Sequence, residues 1–170
     1  MLNIVICEDD NIQRSTIEKF IKNSIAKNDY SFRIKLSTAN PEDVLKNIGS
    51  GDIYFLDVDL NNKINGFKLA EKIRDIDSLG YIIFITTHSE LTYLTFKYRV
   101  EAMDFILKDN VNEIDFRINE CLSHIHKHIN KEKSDVKTLT LTLDDRIIKI
   151  LLKDIVFIET STNSHKYSLN

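Results

Sequence analysis

The chain has 170 residues, is 42% hydrophobic and 29% charged, and carries a net charge of −3. That balance describes a soluble globular chain able to bury a core. It has no apolar stretch near bilayer length and no basic-then-apolar leader after Met1, so a cytoplasmic location and no membrane partner are expected. Residues 1–130 sum to −4, which does not favour nucleic acid broadly, and residues 131–170 to only +1, so charge alone does not prove a DNA partner.

Leu2 to Cys7 is an apolar run that reads as a buried strand, followed at once by Glu8, Asp9 and Asp10. Asp9 or Asp10 is placed to cap the next helix, in which Ile12, Thr16 and Phe20, with Ile17, Ile21 and Ile25, recur at helical spacing. Phe32, Ile34 and Leu36 alternate as a second strand. Asn40-Pro41 caps and opens a short helix running to about Ile48, before Gly49 and Gly51.

Ile53-Tyr54-Phe55-Leu56 runs straight into Asp57, the pattern of a strand buried on both faces in a parallel sheet. A polar loop to Gly66 leads into a helix bearing Phe67, Leu69, Ala70, Ile73 and Ile76. Tyr81 to Ile85 forms a fourth strand, closing on Thr86 and Thr87. Leu91, Leu94, Thr95 and Tyr98 suggest a fourth helix. Met103 to Leu107 is a fifth strand ending at Lys108, and Val111 to Ile129 a long amphipathic fifth helix. Cys7 and Cys121 fall on apolar positions and read as core rather than as a disulfide or metal pair.

Five strands alternating with helices predict an α/β fold, a (βα)5 doubly wound parallel sheet. At about residue 130 the pattern changes. Residues 130–137 are polar and read as a linker. Thr138 to Leu143, a turn at Asp144-Asp145, Ile147 to Leu152 and Ile155 to Glu159 then read as consecutive strands of an incomplete all-β segment.

Ligands of open α/β sheets bind beyond the carboxyl ends of the strands. Glu8, Asp9, Asp57, Thr86 and Lys108 each follow an apolar run and should share that edge. Clustered carboxylates repel, and a hard divalent cation such as Mg²⁺ relieves them. A carboxylate beside such an ion is a nucleophile toward phosphoryl groups. Lys108 would supply an ammonium and Thr86 a hydroxyl, with Thr87 the alternative donor.

These residues resemble those of two-component response regulators. Residues 1–129 are similar to a receiver domain in the pair Glu8-Asp9, acceptor Asp57, Thr86, and Lys108 with Phe105 three residues before it. Ile6-Cys7-Glu8-Asp9-Asp10, Tyr54-Phe55-Leu56-Asp57, the stretch His88 to Phe96 and Ala102-Met103-Asp104-Phe105-Ile106 resemble the wording of Agr-type quorum-sensing regulators. Residues 138–170, with Ile158-Glu159-Thr160-Ser161-Thr162-Asn163-Ser164-His165, resemble the N-terminal part of a LytTR DNA-binding domain. Two positions depart from the common receiver pattern: Asp109 stands where proline usually follows the lysine, and the loop from Asp57 to Gly66 is one residue longer.

The resemblance implies a regulator rather than a turnover enzyme. A sensor histidine kinase would phosphorylate Asp57. Mg²⁺ would be held by Asp9, Asp57 and the Asp59 backbone carbonyl, with Glu8 acting through water. Lys108 and Thr86 would contact the new oxygens, and Thr86 and Phe105 would form the switch. The face of the fourth helix, fifth strand and fifth helix would favour a homodimer when phosphorylated. Transcription control would act through the complete LytTR domain, with His165 and Lys166 as its DNA-contacting pair here, and DNA binding by this form is expected to be impaired. The bland readings stand beside these: Phe105 as plain core, and His124 and His128 as a solvated helix face rather than a metal pair. The competing enzyme reading takes Asp57-Val58-Asp59 as the DxD of an aspartate-nucleophile phosphohydrolase of the haloacid dehalogenase class.

Overall fold

Ile53–Leu56 is the middle strand of a five-stranded parallel sheet in the computed structural model of the chain, which describes residues 1–49, 51–91, 98, 100–134, 138–143 and 146–157. In chain order the elements are β1 (Leu2–Cys7), α1 (Asn11–Asn28), β2 (Phe32–Thr38), α2 (Pro41–Leu45), β3 (Ile53–Leu56), α3 (Gly66–Ile76), β4 (Tyr81–Thr86), β5 (Asp104–Leu107) and α4 (Val111–Ser134). The strand order is β2-β1-β3-β4-β5. Parallel pairing of this kind requires a crossover between successive strands, and α1, α2 and α3 supply three of them. The expected fourth helix lies mostly outside the described residues. Its beginning, Ser89–Leu91, is a 3-10 turn.

The sheet is apolar on both faces because its strands have helices to meet on both. Val5, Cys7, Tyr54, Leu56, Ile82 and Phe84 form one buried cluster with Val44 of α2 and with Phe67, Leu69, Ala70 and Ile73 of α3. The alternate residues Ile4, Ile6, Phe55, Ile83 and Ile85 are equally buried, as are Ile17 and Ile21 of α1 and Ile114, Ile118, Leu122 and Ile125 of α4. A Ser24 hydroxyl on α1 donates to Asn119 of α4 at 2.7 Å, tying those two helices together. Ile12, read as part of the core-facing stripe, is instead 80% exposed. It lies in the first turn of α1, before the helix settles onto the sheet.

The helix ends follow the caps. Asp10 is the N-cap of α1, accepting from the Ile12 and Gln13 N–H groups, which leaves Asp9 uncommitted to capping. Asn40 caps α2 with Pro41 in its first turn. That helix stops at Leu45, short of Ile48, where Asn47 N–H turns back to the Val44 carbonyl. At the far end of the sheet from the acids, buried Asp77 accepts from Gly51 N–H, Asp52 N–H and the Tyr54 hydroxyl, which anchors the start of β3.

Chain contacts divide the protein into two compact units, Met1–His126 and Lys127–Asn170. Residues 130–134, read as linker, are the last turn of α4. No glycine or proline interrupts them. In the second unit β6 (Thr138–Leu143) and β7 (Arg146–Leu151) form an antiparallel hairpin pairing Thr138 with Leu151 through Leu143 with Arg146. The turn expected at Asp144-Asp145 is outside the described residues. A third strand from Ile155 is not formed over 155–157. A 3-10 turn at Leu152–Asp154 breaks the extended run, and residues 158–159 lie outside the described set. No helix among the described residues is long and apolar enough to cross a membrane.

Gly66 opens α3 directly beneath the end of β3, its N–H bonding the Val58 carbonyl at 2.9 Å. A Cβ there would stand 2.0 Å from the Asp57 carbonyl oxygen and 2.8 Å from Val58 Cα. Backbone cannot yield cheaply, so Gly66→Ala is expected to lower the unfolding free energy by about 1–3 kcal/mol, measured by urea denaturation.

Candidate functional site

Three residues just past strand ends continue the sheet's hydrogen-bond ladder by one step. Glu8 N–H bonds the Thr38 carbonyl at 3.1 Å, Asp57 N–H the Cys7 carbonyl at 2.9 Å, and Lys108 N–H the Thr86 carbonyl at 2.9 Å. Their backbones are therefore held by the sheet, although they lie beyond the strands. Their side chains meet at one rim. The Lys108 ammonium donates to Glu8 Oε2 at 2.5 Å and to Asp57 Oδ2 at 2.7 Å. Glu8 is 1% exposed and Asp57 7%.

The remaining oxygens are also engaged. Glu8 Oε1 accepts from Asp10 N–H at 3.3 Å, and Asp57 Oδ1 from Asp59 N–H at 3.3 Å. Arg14 of α1 donates to the Glu8 carbonyl at 2.6 Å and to the Asp9 carbonyl at 3.5 Å, clamping the turn that bears the acids. Asp9 accepts from the Asn61 carboxamide at 2.6 Å. An open cavity of about 680 Å³ lies over these groups, with Asp59, Thr87 and His88 also on its wall.

Burial holds Glu8 well above the ordinary carboxylate range, up to about 7. The Asp57 charge adds to this, and the hydrogen bond from Lys108 works against it. Burial and the same carboxylates push the Cys7 thiol up to about 12, so it is an unreactive core thiol. Carboxylate oxygens of Glu8, Asp9 and Asp57 lie within 4.8 Å of one another. Three hard oxygen donors against one ammonium leave unbalanced negative charge, and their chemistry fits Mg²⁺ better than a soft metal.

The structure gathers Glu8, Asp9, Asp57 and Lys108 as the strand ends suggested. Thr86 is fully buried, with its hydroxyl accepting the His88 N–H at 3.4 Å, while exposed Thr87 lines the cavity. Strand alternation explains the difference: register pairs Phe84 with Phe105 and Thr86 with Leu107, which puts Thr86 on the Phe105 face. The Phe105 ring is half-buried, 6.0 Å from that of Phe84. The Asp59 carboxylate turns outward, 64% exposed and 3.7 Å from His88, so the DxD pair does not converge as the phosphohydrolase reading requires. His124 and His128 are exposed, and the acid trio is the one metal-compatible group among the described residues. Asp109, in the usual proline position, is exposed. His165 and Lys166 lie outside the described residues.

Sequence reading missed Asn61 and Arg14. Neither sits at a strand end, and no local pattern points either residue at the acids. His88, quoted only within a motif, sits between Asp59 and Glu90, and the hydrogen bond it donates to the Glu90 carboxylate raises its pKa.

Residues 4–119 match the response regulator receiver domain. Accessory gene regulator protein A of Staphylococcus aureus (strain N315) is 44% identical over 170 residues, spanning 97% of this chain and 71% of that protein. The protein of that name from Staphylococcus epidermidis is 42% identical over the same shares. Among solved structures, the response regulatory domain of mrkE from Klebsiella pneumoniae superposes with a TM-score of 0.62 at 25% identity, covering 75% of this chain and 99% of that one. The REC domain of AraT from Geobacillus stearothermophilus gives 0.55 at 20% identity, covering 78% and 98%.

Because folded Glu8 keeps a proton that the unfolded chain has released, the metal-free protein should lose stability as pH rises from 4.5 to about 7. Glu8→Gln should remove that part of the loss. Thermal melts in EDTA at about pH 5 and about pH 8 check this; an equal fall in both proteins would count against it.

Proposed function

The chain belongs to the response regulator receiver family, and from that premise we propose that Asp57 accepts a phosphoryl group from the phosphohistidine of a sensor histidine kinase. The protein is a two-component response regulator, and its accessory gene regulator relatives carry the reading to transcription control in a quorum-sensing system. The observation that supports Asp57 most directly is the Lys108 ammonium held between it and Glu8, with Asp9 alongside.

Asp9, Asp57 and the Asp59 carbonyl would hold Mg²⁺, with Glu8 acting through water. When bound, the ion neutralises charge on the phosphoryl oxygens. The chain's own groups do the rest. An Asp57 carboxylate oxygen attacks phosphorus, the phosphorus–nitrogen bond breaks, and the departing imidazole keeps its electron pair. Lys108 stays beside the acylphosphate and stabilises its added charge. The likeness to receiver domains and to gene regulators supports a phosphoacceptor rather than a turnover enzyme.

The shared face of Thr86 and Phe105 supports a switch built from these two residues. Thr86 turning its hydroxyl toward the new oxygens vacates space beside Phe105, and the ring moves inward. Inverting a one-to-ninety-nine population needs about 5.5 kcal/mol of differential stabilisation. New charge-assisted hydrogen bonds from Lys108 and Thr86 are the source of that bias. The phosphorylated form then favours a homodimer. Residues 1–129 act as receiver and 130–137 as connection. Residues 138–170 begin a LytTR-type DNA-binding domain in which His165 and Lys166 contact DNA.

Exposure to acetyl phosphate and Mg²⁺ should add one phosphoryl mass to the wild-type chain and none to Asp57→Ala, read by intact-mass spectrometry. A gain that survives in Asp57→Ala moves the acceptor elsewhere.

A further inference from the structure

We propose that Asn61 is a positioning residue for the divalent ion, holding one oxygen of Asp9 so that its carboxylate faces Glu8 and Asp57. The proposal rests on the cation reading of the acid trio given above. Asn61 comes from the loop between Asp57 and Gly66, the segment one residue longer than the usual receiver pattern. It stands 52 residues from Asp9 in the chain yet donates its carboxamide N–H to Asp9 Oδ2 at 2.6 Å. Its backbone is left-handed, at φ 39°, a conformation that asparagine tolerates better than most side chains. Both residues line the cavity.

The chemistry of Asp9 makes this contact consequential. Glu8 and Asp57 are fixed by burial and by Lys108, whereas Asp9 is half-exposed and forms no salt bridge with the ammonium. Its backbone is steadied by Arg14, but its carboxylate has only Asn61 as a described hydrogen-bond donor. A ligand carboxylate free to rotate costs conformational entropy each time an ion binds. A charge-assisted hydrogen bond to one oxygen pre-orients it and leaves the other oxygen for the metal. The carboxamide also carries no charge, so it orients Asp9 without competing with the cation as an arginine or lysine would.

Asn61→Gly tests this, since glycine removes the carboxamide and accepts the left-handed backbone. Mn²⁺, a hard cation that takes oxygen ligands, serves as the probe, with its free form measured by electron paramagnetic resonance. Wild type is expected to bind Mn²⁺, and Asn61→Gly to bind it ~10–100-fold more weakly. The urea midpoint of the variant in EDTA should match wild type. Half-saturation of acetyl phosphate labelling by Mg²⁺ should rise while the labelling rate at saturating Mg²⁺ is kept. Mn²⁺ affinity in Asn61→Gly within about twofold of wild type, or tighter, overturns the proposal and leaves the cation reading intact. A lowered urea midpoint in EDTA overturns it as well, because Asn61 then serves the loop rather than the ion. Wild-type chain that is folded and takes up no Mn²⁺, matching Asp9→Asn, overturns the cation reading itself.

Discussion

The Lys108 ammonium lodged between the Glu8 and Asp57 carboxylates is the contact on which the rest of this rim depends. Burying an ion costs several kcal/mol, and attraction repays that only when geometry is good and other hydrogen bonds complete the shell. Here the shell is nearly complete: Asp10 and Asp59 N–H groups take the oxygens that Lys108 does not. The backbones of all three residues are locked into the sheet ladder one step past the strand ends. Asp9 adds a third carboxylate that the lysine does not touch. The rim is therefore held together and still short of positive charge. That shortage is the physical basis for a cation, while the raised pKa of Glu8 reflects first its burial and then the neighbouring Asp57 charge.

In the proposed switch, the same lysine couples the rim to the sheet. Lys108 follows β5 directly, and β5 carries Phe105 three residues earlier. A change in charge at Asp57 alters what Lys108 must neutralise, at a point covalently joined to the strand bearing the aromatic ring. On β4 Thr86 shares a face with Phe84 and Phe105, and Phe84 packs on Phe67, whose ring stacks on Tyr98 at 5.5 Å. A close-packed interior of this kind does not deform smoothly, so a displaced ring has few discrete alternatives.

The fold was legible because its strands are short apolar runs that stop on polar residues, and strand ends define the functional edge of an open α/β sheet. Glu8, Asp9, Asp57 and Lys108 could be found that way. Phase was harder. Thr86 and Thr87 are adjacent hydroxyls at a strand end, and a period of two puts one inward and one into the cavity; only register decides which. Ile12 has the spacing of a core residue, yet its exposure depends on where α1 first meets the sheet. Asn61 was invisible for a different reason. Its partner is fixed by the path of a polar loop and a left-handed residue, neither of which leaves a period in the sequence.

The rim is graded from inside to outside, and the gradient matches the proposed parts. Glu8 is sealed, Asp57 nearly so, Asp9 half-exposed, and Asp59 mostly open to solvent beside His88. A nucleophile that takes its phosphoryl group from another protein must be reachable on one side and dry on the other. Water on the buried side would weaken the lysine contact, and a wall on the open side would exclude the donor. Asp57 stands where those requirements meet, with its charge partner beneath and the cavity above. Glu8 is too enclosed for that role, and Asp59 too hydrated for a lysine to hold it. Among four neighbouring acids, burial and one ammonium are thus what favour Asp57 as the proposed acceptor.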